Sequence, residues 1–393
     1  MSVVFPRGFV ASGAASGIKP DGRLDLSFTG FAGSARGAGA AVFTQSLSAA
    51  APVAVSREHL AATRGRLRGV IASSGNANAL NGEPGMESAR AMAAMAASEF
   101  GGVPEEYLVM ATGLIGIPFP LATALSGGSA LRAAAASSEE AGLLAARAIM
   151  TTDTHPKLAI REGDGWRIGG MAKGAAMIAP NMATMLSVIT TDALLAPEEA
   201  SAVLAAAVSS SFNRITIDGC TSTNDTVILL ASGLAGAPGP GFEAALAEVA
   251  GSLAYQIVAD AEGGSRVGRI VVTGAPGDPG ADAIARRVAN SLLVKCSLLG
   301  ADPYWGRVLG EVGLAGVALD PAAVDISYQG IKVARGGLEA RGELDPGTLS
   351  LLSERMQEHD IEVLIEINQG GGSATMLTSD IGHGYLEENR GTS

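Results

Sequence analysis

The chain has few of the residues that define several common classes of protein. Its 393 residues include two cysteines, Cys220 and Cys296, which lie far apart and outside any Cys-x-x-Cys motif. A disulfide framework is therefore excluded, and we expect both cysteines to be small buried residues. The four histidines show no metal-ligand spacing, and no G-x-G-x-x-G or Walker A sequence occurs. We therefore expect neither a metal site nor a nucleotide cofactor.

Positive charge and long apolar runs are also scarce. The formal net charge of −12 provides no attraction to nucleic acid or to an anionic membrane surface. No run of 18 uncharged apolar residues occurs, and the first residues, MSVVFPRGFVASG, lack the features of a signal peptide. We expect a cytoplasmic protein without nucleic-acid or membrane partners.

The core must be built mainly from aliphatic residues, because aromatic residues make up only 4% of a chain that is 47% hydrophobic. Short β-branched runs predict buried strands at 70–72, 188–189, 226–231, 269–273 and 362–367. Helical patterns cover 87–100, 197–212, 242–260 and 281–294. Strands that alternate with helices in this way predict a layered α/β protein.

The segment 171–193, MAKGAAMIAPNMATMLSVITTDA, carries the most specific chemical signal. It places Lys173 upstream of the pair Ala183-Thr184, with a proline-containing apolar loop between them. A threonine hydroxyl is a weak nucleophile without an adjacent base. Cutting the chain before the threonine supplies that base, because the new α-amine lies next to the hydroxyl. The segment is therefore a candidate for self-cleavage.

The part of this segment at 171–186 resembles the self-cleavage segment of the ornithine acetyltransferase (glutamate N-acetyltransferase) family. Further blocks that resemble the family follow in its order: SSGNANALNG at 73–82, ATGLIG at 111–116, IMTTDTHPK at 149–157, FNRITIDGCTSTNDT at 212–226, DAEGGSR at 260–266 and DPYWGR at 302–307. Together they span nearly the whole chain. So extensive a match is far more specific than any single motif.

The resemblance implies a fold and a division of the chain. The fold is a layered α/β structure of the N-terminal-nucleophile type, an αββα arrangement with stacked β-sheets between helices. Self-cleavage would produce an N-terminal piece, residues 1–183, and a C-terminal piece, residues 184–393. The two pieces are expected to fold together as one unit and to assemble further into dimers or tetramers of that unit.

The resemblance also implies a role for each site residue. The Thr184 hydroxyl would attack the Ala183 carbonyl, and the freed Thr184 amine would then act as a base. Thr112 and Gly113 would donate hydrogen bonds to the oxyanion. Substrate would be bound by Lys173, one of Thr151 and Thr152, Thr184, Glu262, Asn389, and Ser393 or Thr392.

Charge explains two of these roles. Lys173 would bind a substrate carboxylate, or would repel the protonated Thr184 amine and so favour its basic form. Glu262 would pair with the amine of an amino-acid substrate. Asp153, between the two threonines and His155, is a candidate for orienting their loop.

The implied reaction is a double displacement without a cofactor. N-acetylornithine would acylate Thr184, ornithine would leave, and glutamate would take the acetyl group; use of acetyl-CoA stays open. One alternative is an N-terminal-nucleophile amidase or aminopeptidase, in which water is the acceptor. Another is a paralogue with a different acyl donor or acceptor, and a third is a non-catalytic amino-acid-binding paralogue.

Several positions depart from the usual family pattern in regions that could face the substrate. They are Cys220, Ala261, Arg266, Leu299 and Tyr304, and the tail beyond Asn389 is one residue shorter than usual. None is the expected nucleophile or an oxyanion donor. The departures therefore concern substrate identity more than the acyl-transfer chemistry.

Overall fold

The computed structural model describes residues 2–179 and 185–390. The predicted cleavage pair Ala183-Thr184 and the predicted tail contacts Thr392 and Ser393 lie outside the described residues. Ala179 and Met185, which flank the undescribed residues 180–184, are both buried.

The strands, in chain order, are β1 Phe9–Ala14, β2 Leu26–Phe31, β3 Gly37–Phe43, β4 Arg66–Leu67, β5 Gly69–Asn76, β6 Tyr107–Leu114, β7 Lys157–Gly163, β8 Trp166–Lys173, β9 Leu186–Ala193, β10 Ile215–Thr216, β11 Thr226–Gly236, β12 Val267–Ala275, β13 Asp325–Tyr328, β14 Ile331–Arg335, β15 Leu338–Glu339, β16 Asp360–Glu366 and β17 Gly372–Ser379.

The α-helices are α1 Ala51–Thr63, α2 Gly82–Phe100, α3 Leu121–Ser126, α4 Gly128–Ala133, α5 Glu139–Ile149, α6 Pro197–Ser210, α7 Phe242–Ala259, α8 Asp278–Asn290, α9 Leu292–Leu299, α10 Trp305–Val312, α11 Pro346–Arg355 and α12 His383–Glu388. In the part of the chain that the structure describes, no helix is long and apolar enough to cross a membrane.

The described strands form three sheets. The first has the order β1-β2-β5-β6, the second β4-β3-β11-β9-β8-β7, and the third β10-β17-β12-β16-β13-β14-β15. In the second sheet, β9 lies between β8, to which it is antiparallel, and β11, to which it is parallel. The end of β8 at Lys173 therefore lies opposite the start of β9 at Leu186, which follows the undescribed segment 180–184 closely in the chain.

The first two sheets stack face to face over an aliphatic core. Alternate residues of a strand point to opposite faces, so Val70 and Ala72 of β5 enter this core while Ile71 points outward. The facing residues of the second sheet obey the same alternation, and they include Leu186, Val188, Ile228 and Leu230.

Helices cover the outer faces of both sheets. On the first sheet, Met92 of α2 and Val55 of α1 pack against Ile71 and Tyr107. On the second sheet, α6 and α7 contribute the apolar residues Leu204, Leu246, Val249 and Leu253 to a core that also contains Ile189 and Leu229. The order of layers is helix, sheet, sheet, helix, which confirms the predicted αββα arrangement.

The third sheet forms a separate layer with its own core. The inner residues of β12, β13 and β16, such as Ile270, Ile326 and Ile365, pack against α8 through Ile284 and Val288. Its strand β17 pairs with the short strand β10, which is joined to the second layer by the chain just after α6. Helix α12 follows β17 in the chain, and its Tyr385 contacts Asp218 in the segment just before β11.

Two sequence predictions were wrong in detail. The helix predicted over 281–294 is interrupted at Ser291, whose Oγ accepts a hydrogen bond from the Val294 N–H and starts α9. Both cysteines are exposed, not buried. Cys220 follows Asp218 in a loop and Cys296 lies on the solvent side of the short helix α9, so neither position is covered by a second layer.

Candidate active site

Lys173 and Thr112 meet although they are 61 residues apart in the chain. Lys173 is the last residue of β8, and Thr112 lies near the end of β6 in the facing sheet. The Lys173 Nζ donates to Thr112 Oγ1 over 3.1 Å, and both residues are only 4% exposed. Since this hydroxyl accepts from the ammonium group, its own proton remains available to another acceptor. The predicted oxyanion donor and the predicted substrate-binding cation therefore share one buried location.

Gly113 occupies a position that only glycine tolerates. Its φ is +128°, and an added Cβ would lie 2.3 Å from the carbonyl carbon of Gly75. Strand β6 pairs in parallel with β5 here, and the register becomes irregular at Gly75 and Asn76. An irregular ladder beside a glycine lets the backbone change direction at the strand end. This is the local reason why the chain has Thr-Gly at this point.

A buried network of charges supports the Lys173 side chain. Lys157 Nζ donates to Asp153 Oδ1 over 2.7 Å and to Asp260 Oδ2 over 2.6 Å, and its side chain is fully buried. Asp153 also accepts the Gly174 N–H over 2.7 Å. The residue that follows Lys173 is thus held by Asp153, which joins the 149–157 block to the end of β8.

Burial and the charges of this network shift two pKa values. Burial raises the pKa of the Asp153 carboxyl, but the charges of Lys173 and Lys157 outweigh burial and bring it to about 2. Burial lowers the pKa of the Lys173 ammonium, while the charges of Asp153 and Glu262 oppose that effect. Asp153 is therefore an anion whose charge compensates the two lysines.

The two threonines of the 149–157 block have different surroundings. Thr151 is half-buried, and its N–H donates to Asp153 Oδ2 over 3.0 Å. Thr152 is exposed. Asp153 therefore orients this loop, the function for which its side chain was a candidate in the sequence.

Glu262 and Asn389 also meet, across 127 residues. The Asn389 Nδ2 donates to Glu262 Oε2 over 2.8 Å and to the Tyr385 carbonyl over 2.9 Å. The Glu262 N–H donates to the Ala175 carbonyl over 2.9 Å, which ties it to the loop after Lys173. The predicted acidic residue, the predicted terminal asparagine and the chain leaving β8 are thus brought together.

A second contact fastens the C-terminal helix to the same loop. The Tyr385 hydroxyl of α12 donates to Asp218 Oδ2 over 3.1 Å. Asp218 in turn accepts the N–H groups of Met177 and Ile178 over 2.5 and 2.9 Å. Met177 has a φ of +55°, a conformation that costs energy for a residue with a side chain. Asp218 therefore holds the strained segment that leads toward residue 180.

The similarity of this protein to known sequences extends over nearly the whole chain, as the motifs do. The model of the ArgJ family matches residues 10–391. The arginine biosynthesis bifunctional protein ArgJ of Thermobifida fusca is 42% identical over 391 residues, which are 99% of each chain. The chain belongs to the ArgJ family. The protein of the same description from Geobacter sulfurreducens is 40% identical over 395 residues, 98% of each chain.

Solved structures of related proteins include an ornithine acetyltransferase from Mycobacterium tuberculosis in complex with ornithine. It is 39% identical, with a TM-score of 0.43, and the match covers 46% of this chain and 94% of that one. An arginine biosynthesis bifunctional protein argJ from Bacillus halodurans is 29% identical with a TM-score of 0.48, covering 51% and 96%. The family predicted from the motifs is confirmed by the whole-length sequence matches.

Sequence reasoning missed several supporting residues of this ArgJ-family site. Lys157, Asp260, Asp218 and Asp225 all lie inside the recognised blocks, but no role was assigned to them. A signal was available, because each is a charged residue inside a recognised block, and a charge that becomes buried needs a partner. Apart from the pair of Lys157 with Asp153, the partners that join them to the site lie between 40 and 167 residues away, so spacing along the chain does not reveal them.

Two of the departures from the family pattern have structural partners of their own. Arg266 donates to the carbonyl oxygens of Leu298 and Leu299 at the end of α9, over 3.0 and 2.5 Å. The Tyr304 ring lies 5.1 Å from the guanidinium carbon of Arg307. Both contacts stabilise the third layer. Among the described residues, no group of three or more His, Cys, Asp or Glu side chains has the arrangement of a metal site.

Proposed function

We propose that this ArgJ-family protein cuts itself between Ala183 and Thr184 and then transfers an acetyl group from N-acetylornithine to glutamate. The observation that carries the proposal is the buried contact between Lys173 and Thr112 beside the start of β9. It joins a cation and an oxyanion donor next to the chain that continues from residue 184. The descriptions of the curated relatives, arginine biosynthesis bifunctional proteins, support the same reaction.

Self-cleavage uses the Thr184 hydroxyl as an intramolecular nucleophile. Its Oγ attacks the Ala183 carbonyl carbon, the peptide C–N bond breaks, and the Thr184 nitrogen takes up a proton as the free amine. Water then hydrolyses the resulting ester, which leaves a carboxyl group on Ala183 and restores the Thr184 hydroxyl. The product places a base beside the nucleophile.

Acetyl transfer repeats this chemistry on a substrate amide. Thr184 takes the acetyl group from N-acetylornithine and releases ornithine, and the amine of glutamate then takes it from the ester. Thr112 and Gly113 would stabilise the oxyanion of each step, and one such donor is typically worth about 3–4 kcal/mol of barrier. The acetyl group arrives on the substrate, so the cycle requires no cofactor.

Both substrates are amino acids, which one set of binding groups can serve. Lys173 would bind the α-carboxylate, and Glu262 would bind a substrate amine with help from Asn389. Thr151 is our choice over Thr152 for the hydroxyl contact because Thr151 is the more buried and the better fixed of the two. Ser393 would close the pocket from the chain end.

We also propose that the pieces 1–183 and 184–393 remain one unit after cleavage. In the second sheet, β3 and β8 precede the proposed cut, while β11 and β9 follow it. Strand β11 pairs with β3 and β9 pairs with β8, so strands of the two pieces are hydrogen-bonded to each other. Separation would break a central sheet and expose its core. Further assembly of this unit into dimers or tetramers, and a cytoplasmic location, complete the proposal.

One experiment tests cleavage and transfer together. The purified protein is analysed by intact-mass spectrometry before and after incubation with N-acetylornithine, with and without glutamate. We expect two masses that correspond to a cut at Ala183-Thr184, an acetylated 184–393 piece, and N-acetylglutamate only when glutamate is present. Thr184→Ala should remain whole and inactive, while Thr63→Ala, a threonine at the end of α1, should behave as wild type.

Other results would point to the alternatives. Acetate released at the same rate with and without glutamate would indicate an amidase and contradict the transferase. A wild-type chain that stays whole and turns nothing over would indicate an amino-acid-binding protein. Cleavage in Thr184→Ala would refute the assigned nucleophile.

A further inference from the structure

Asn224 connects the strand of the oxyanion donor to the loop that precedes β11. It is buried, and its Nδ2 donates to the carbonyl oxygens of Ala77 and Ala111 over 2.6 and 2.9 Å. Ala111 is the residue before Thr112, so this amide holds β6 at the point where the oxyanion donors begin. Both hydrogens of the amide are used, which fixes the orientation of the side chain.

The next residue, Asp225, forms hydrogen bonds with the chain at Met185, just before β9. Its Oδ1 accepts the Met185 N–H over 3.0 Å, and the Thr226 N–H donates to the Met185 carbonyl over 3.1 Å. The Asp225 carbonyl itself accepts the Thr44 N–H over 2.9 Å. Met185, the residue directly after the proposed nucleophile, is therefore held on both of its backbone polar groups by two consecutive residues.

The Asp225 carboxyl sits in surroundings that disfavour its charge. The residue is completely buried, and within residues 2–179 and 185–390 its Oδ2 has no hydrogen-bond partner. Burial raises the pKa of Asp225 well above its usual value, against the opposing effects of the Met185 N–H, the Lys173 charge and the polar groups of Ser222. Burial, with one oxygen unpaired among the described residues, therefore favours the uncharged form of this carboxyl.

An uncharged neighbour suits the chemistry of an N-terminal threonine. A carboxylate bound to the N–H of Met185, the next residue in the chain, would favour the protonated α-amine of Thr184, which is no longer a base. A neutral carboxyl accepts the Met185 N–H and leaves the amine free to take a proton from the hydroxyl. The same side chain can thus position the chain without disabling the base.

We propose that Asn224 and Asp225 are positioning residues that set the oxyanion donors and the nucleophile in place relative to each other, and that Asp225 acts in its uncharged form. This inference rests on the proposed function and adds to it a link between the two strands that carry the reacting groups. Neither residue needs to touch the substrate for this role.

The test compares two substitutions of Asp225 in the full-length chain. Asp225→Asn keeps an uncharged acceptor for the Met185 N–H, and Asp225→Ala removes it. We expect Asp225→Ala to slow both self-cleavage and kcat about 100-fold, because a misplacement of about 1 Å has effects of that size, with little change in KM. Asp225→Asn should restore both rates to within about tenfold of wild type.

A matched control separates positioning from general stability. Asp192 is a buried carboxyl at the far end of β9, where it accepts the Arg167 N–H over 2.7 Å and the Arg7 Nε over 3.0 Å. Asp192→Ala should lower the melting temperature but leave the rate of self-cleavage unchanged at a temperature where it is folded. Asn224→Ala should reduce kcat as Asp225→Ala does, through displacement of Thr112.

The protonation of Asp225 has its own measurement, which does not depend on the folding of the alanine variant. The infrared difference spectrum between wild type and Asp225→Asn at neutral pH should contain the carbonyl band of a protonated carboxyl group. Carboxylate bands in its place would show that Asp225 is charged and would overturn the proposal that it acts uncharged. Self-cleavage and kcat as slow in Asp225→Asn as in Asp225→Ala would overturn it too. A folded Asp225→Ala that cleaves at the wild-type rate would overturn positioning.

These outcomes are distinct from failure of the proposed function. If the wild-type chain stays whole and forms no N-acetylglutamate, the proposed function fails first, and the role of Asp225 in it fails with it. If the wild type is cut and active while Asp225→Ala matches it, only the positioning inference fails.

Discussion

The ammonium group of Lys173 donates a hydrogen bond to the hydroxyl of Thr112, and the two residues belong to facing sheets of the αββα unit. Lys173 ends β8, while Thr112 stands one residue before a glycine that ends regular pairing between β5 and β6. The contact would place the positive charge of the ammonium group directly behind the predicted oxyanion donor. An oxyanion bound by the Thr112 hydroxyl would therefore be stabilised by the donor and by the charge that polarises it.

Removal of the Thr112 hydroxyl should damage catalysis more than binding. We expect Thr112→Val to lower kcat about 10²- to 10³-fold, the effect typical of one lost oxyanion donor, with a small change in KM. Thr112→Ser keeps the hydroxyl and should retain most of the activity. Steady-state kinetics of N-acetylglutamate formation measure both, and equal losses in the two variants would argue against a donor role.

Substitution of Lys173 should weaken substrate binding. Lys173→Met removes the cation proposed to bind the α-carboxylate, and a hydrogen bond to a charged group is worth about 1.5–3 kcal/mol. KM for N-acetylornithine should rise about 10- to 100-fold. The control is Lys332→Met, which removes a partly exposed lysine paired with Asp325 and Glu366 in the third layer. An unchanged KM in Lys173→Met would contradict the assigned role.

Lys157 should matter for stability. Its loss in Lys157→Met would leave the carboxylates of Asp153 and Asp260 without their shared partner in a buried location. We expect the free energy of unfolding to fall by about 3–5 kcal/mol, as in other broken buried pairs. Urea denaturation measures this. The exposed pairs of Arg90 with Glu58 and Glu83 supply the comparison, because Arg90→Met should change stability by at most about 1 kcal/mol.

Buried Lys295 should make stability depend on pH in the alkaline range. Burial lowers the pKa of its ammonium from 10.5 to about 7, despite the opposing charges of Asp218 and Asp380. Between about pH 7 and about pH 10 the unfolded chain binds this proton and the folded chain does not. Unfolding therefore becomes less favourable as pH rises through this range, by up to about 1.4 kcal/mol per pH unit.

The comparison with Lys295→Met isolates this effect. The difference in unfolding free energy between wild type and variant should shift in favour of the wild type from pH 7 to pH 10, in urea titrations at several pH values. Methionine is chosen because it keeps the length of the buried stem without a titrating group. Parallel pH profiles for the two proteins would show that Lys295 keeps an ordinary pKa.

The contact of Asn389 with Glu262 should influence affinity without affecting the fold. Asn389 is exposed near the chain end, and its Nδ2 binds Glu262 Oε2 over 2.8 Å. Asn389→Ala should raise KM about threefold to tenfold, in line with the roughly 0.5–1.5 kcal/mol of a single hydrogen bond, while the melting temperature stays constant. Glu387→Ala, two residues earlier on α12, is the control. A change in melting temperature without one in KM would indicate a purely structural role.

Much of the architecture could be predicted because its signals are local. The runs at 70–72, 188–189, 226–231 and 269–273 lie inside strands, and 362–367 does so except for Ile367, one residue past β16, since β-branched residues between turns favour extended backbone. The helices near 87–100, 197–212 and 242–260 were equally predictable from their periodicity. The break at Ser291 was not, because a serine inside an apolar pattern caps a helix only when the chain turns there.

The features of the candidate site also divide into those that are local in the sequence and those that depend on distant segments. The amino-acid sequence by itself determined the candidate reacting residues, since a Thr-Gly turn, a lysine among small residues and an Ala-Thr pair carry their chemistry in their side chains. It also determined the family, because the blocks keep their order over the whole chain. Only the tertiary structure decided that Lys173 meets Thr112, that Asn389 meets Glu262, and that one oxygen of buried Asp225 has no hydrogen-bond partner among the described residues. Burial and pairing depend on segments 40 to 127 residues apart, and the same carboxyl is charged or neutral according to what packs around it.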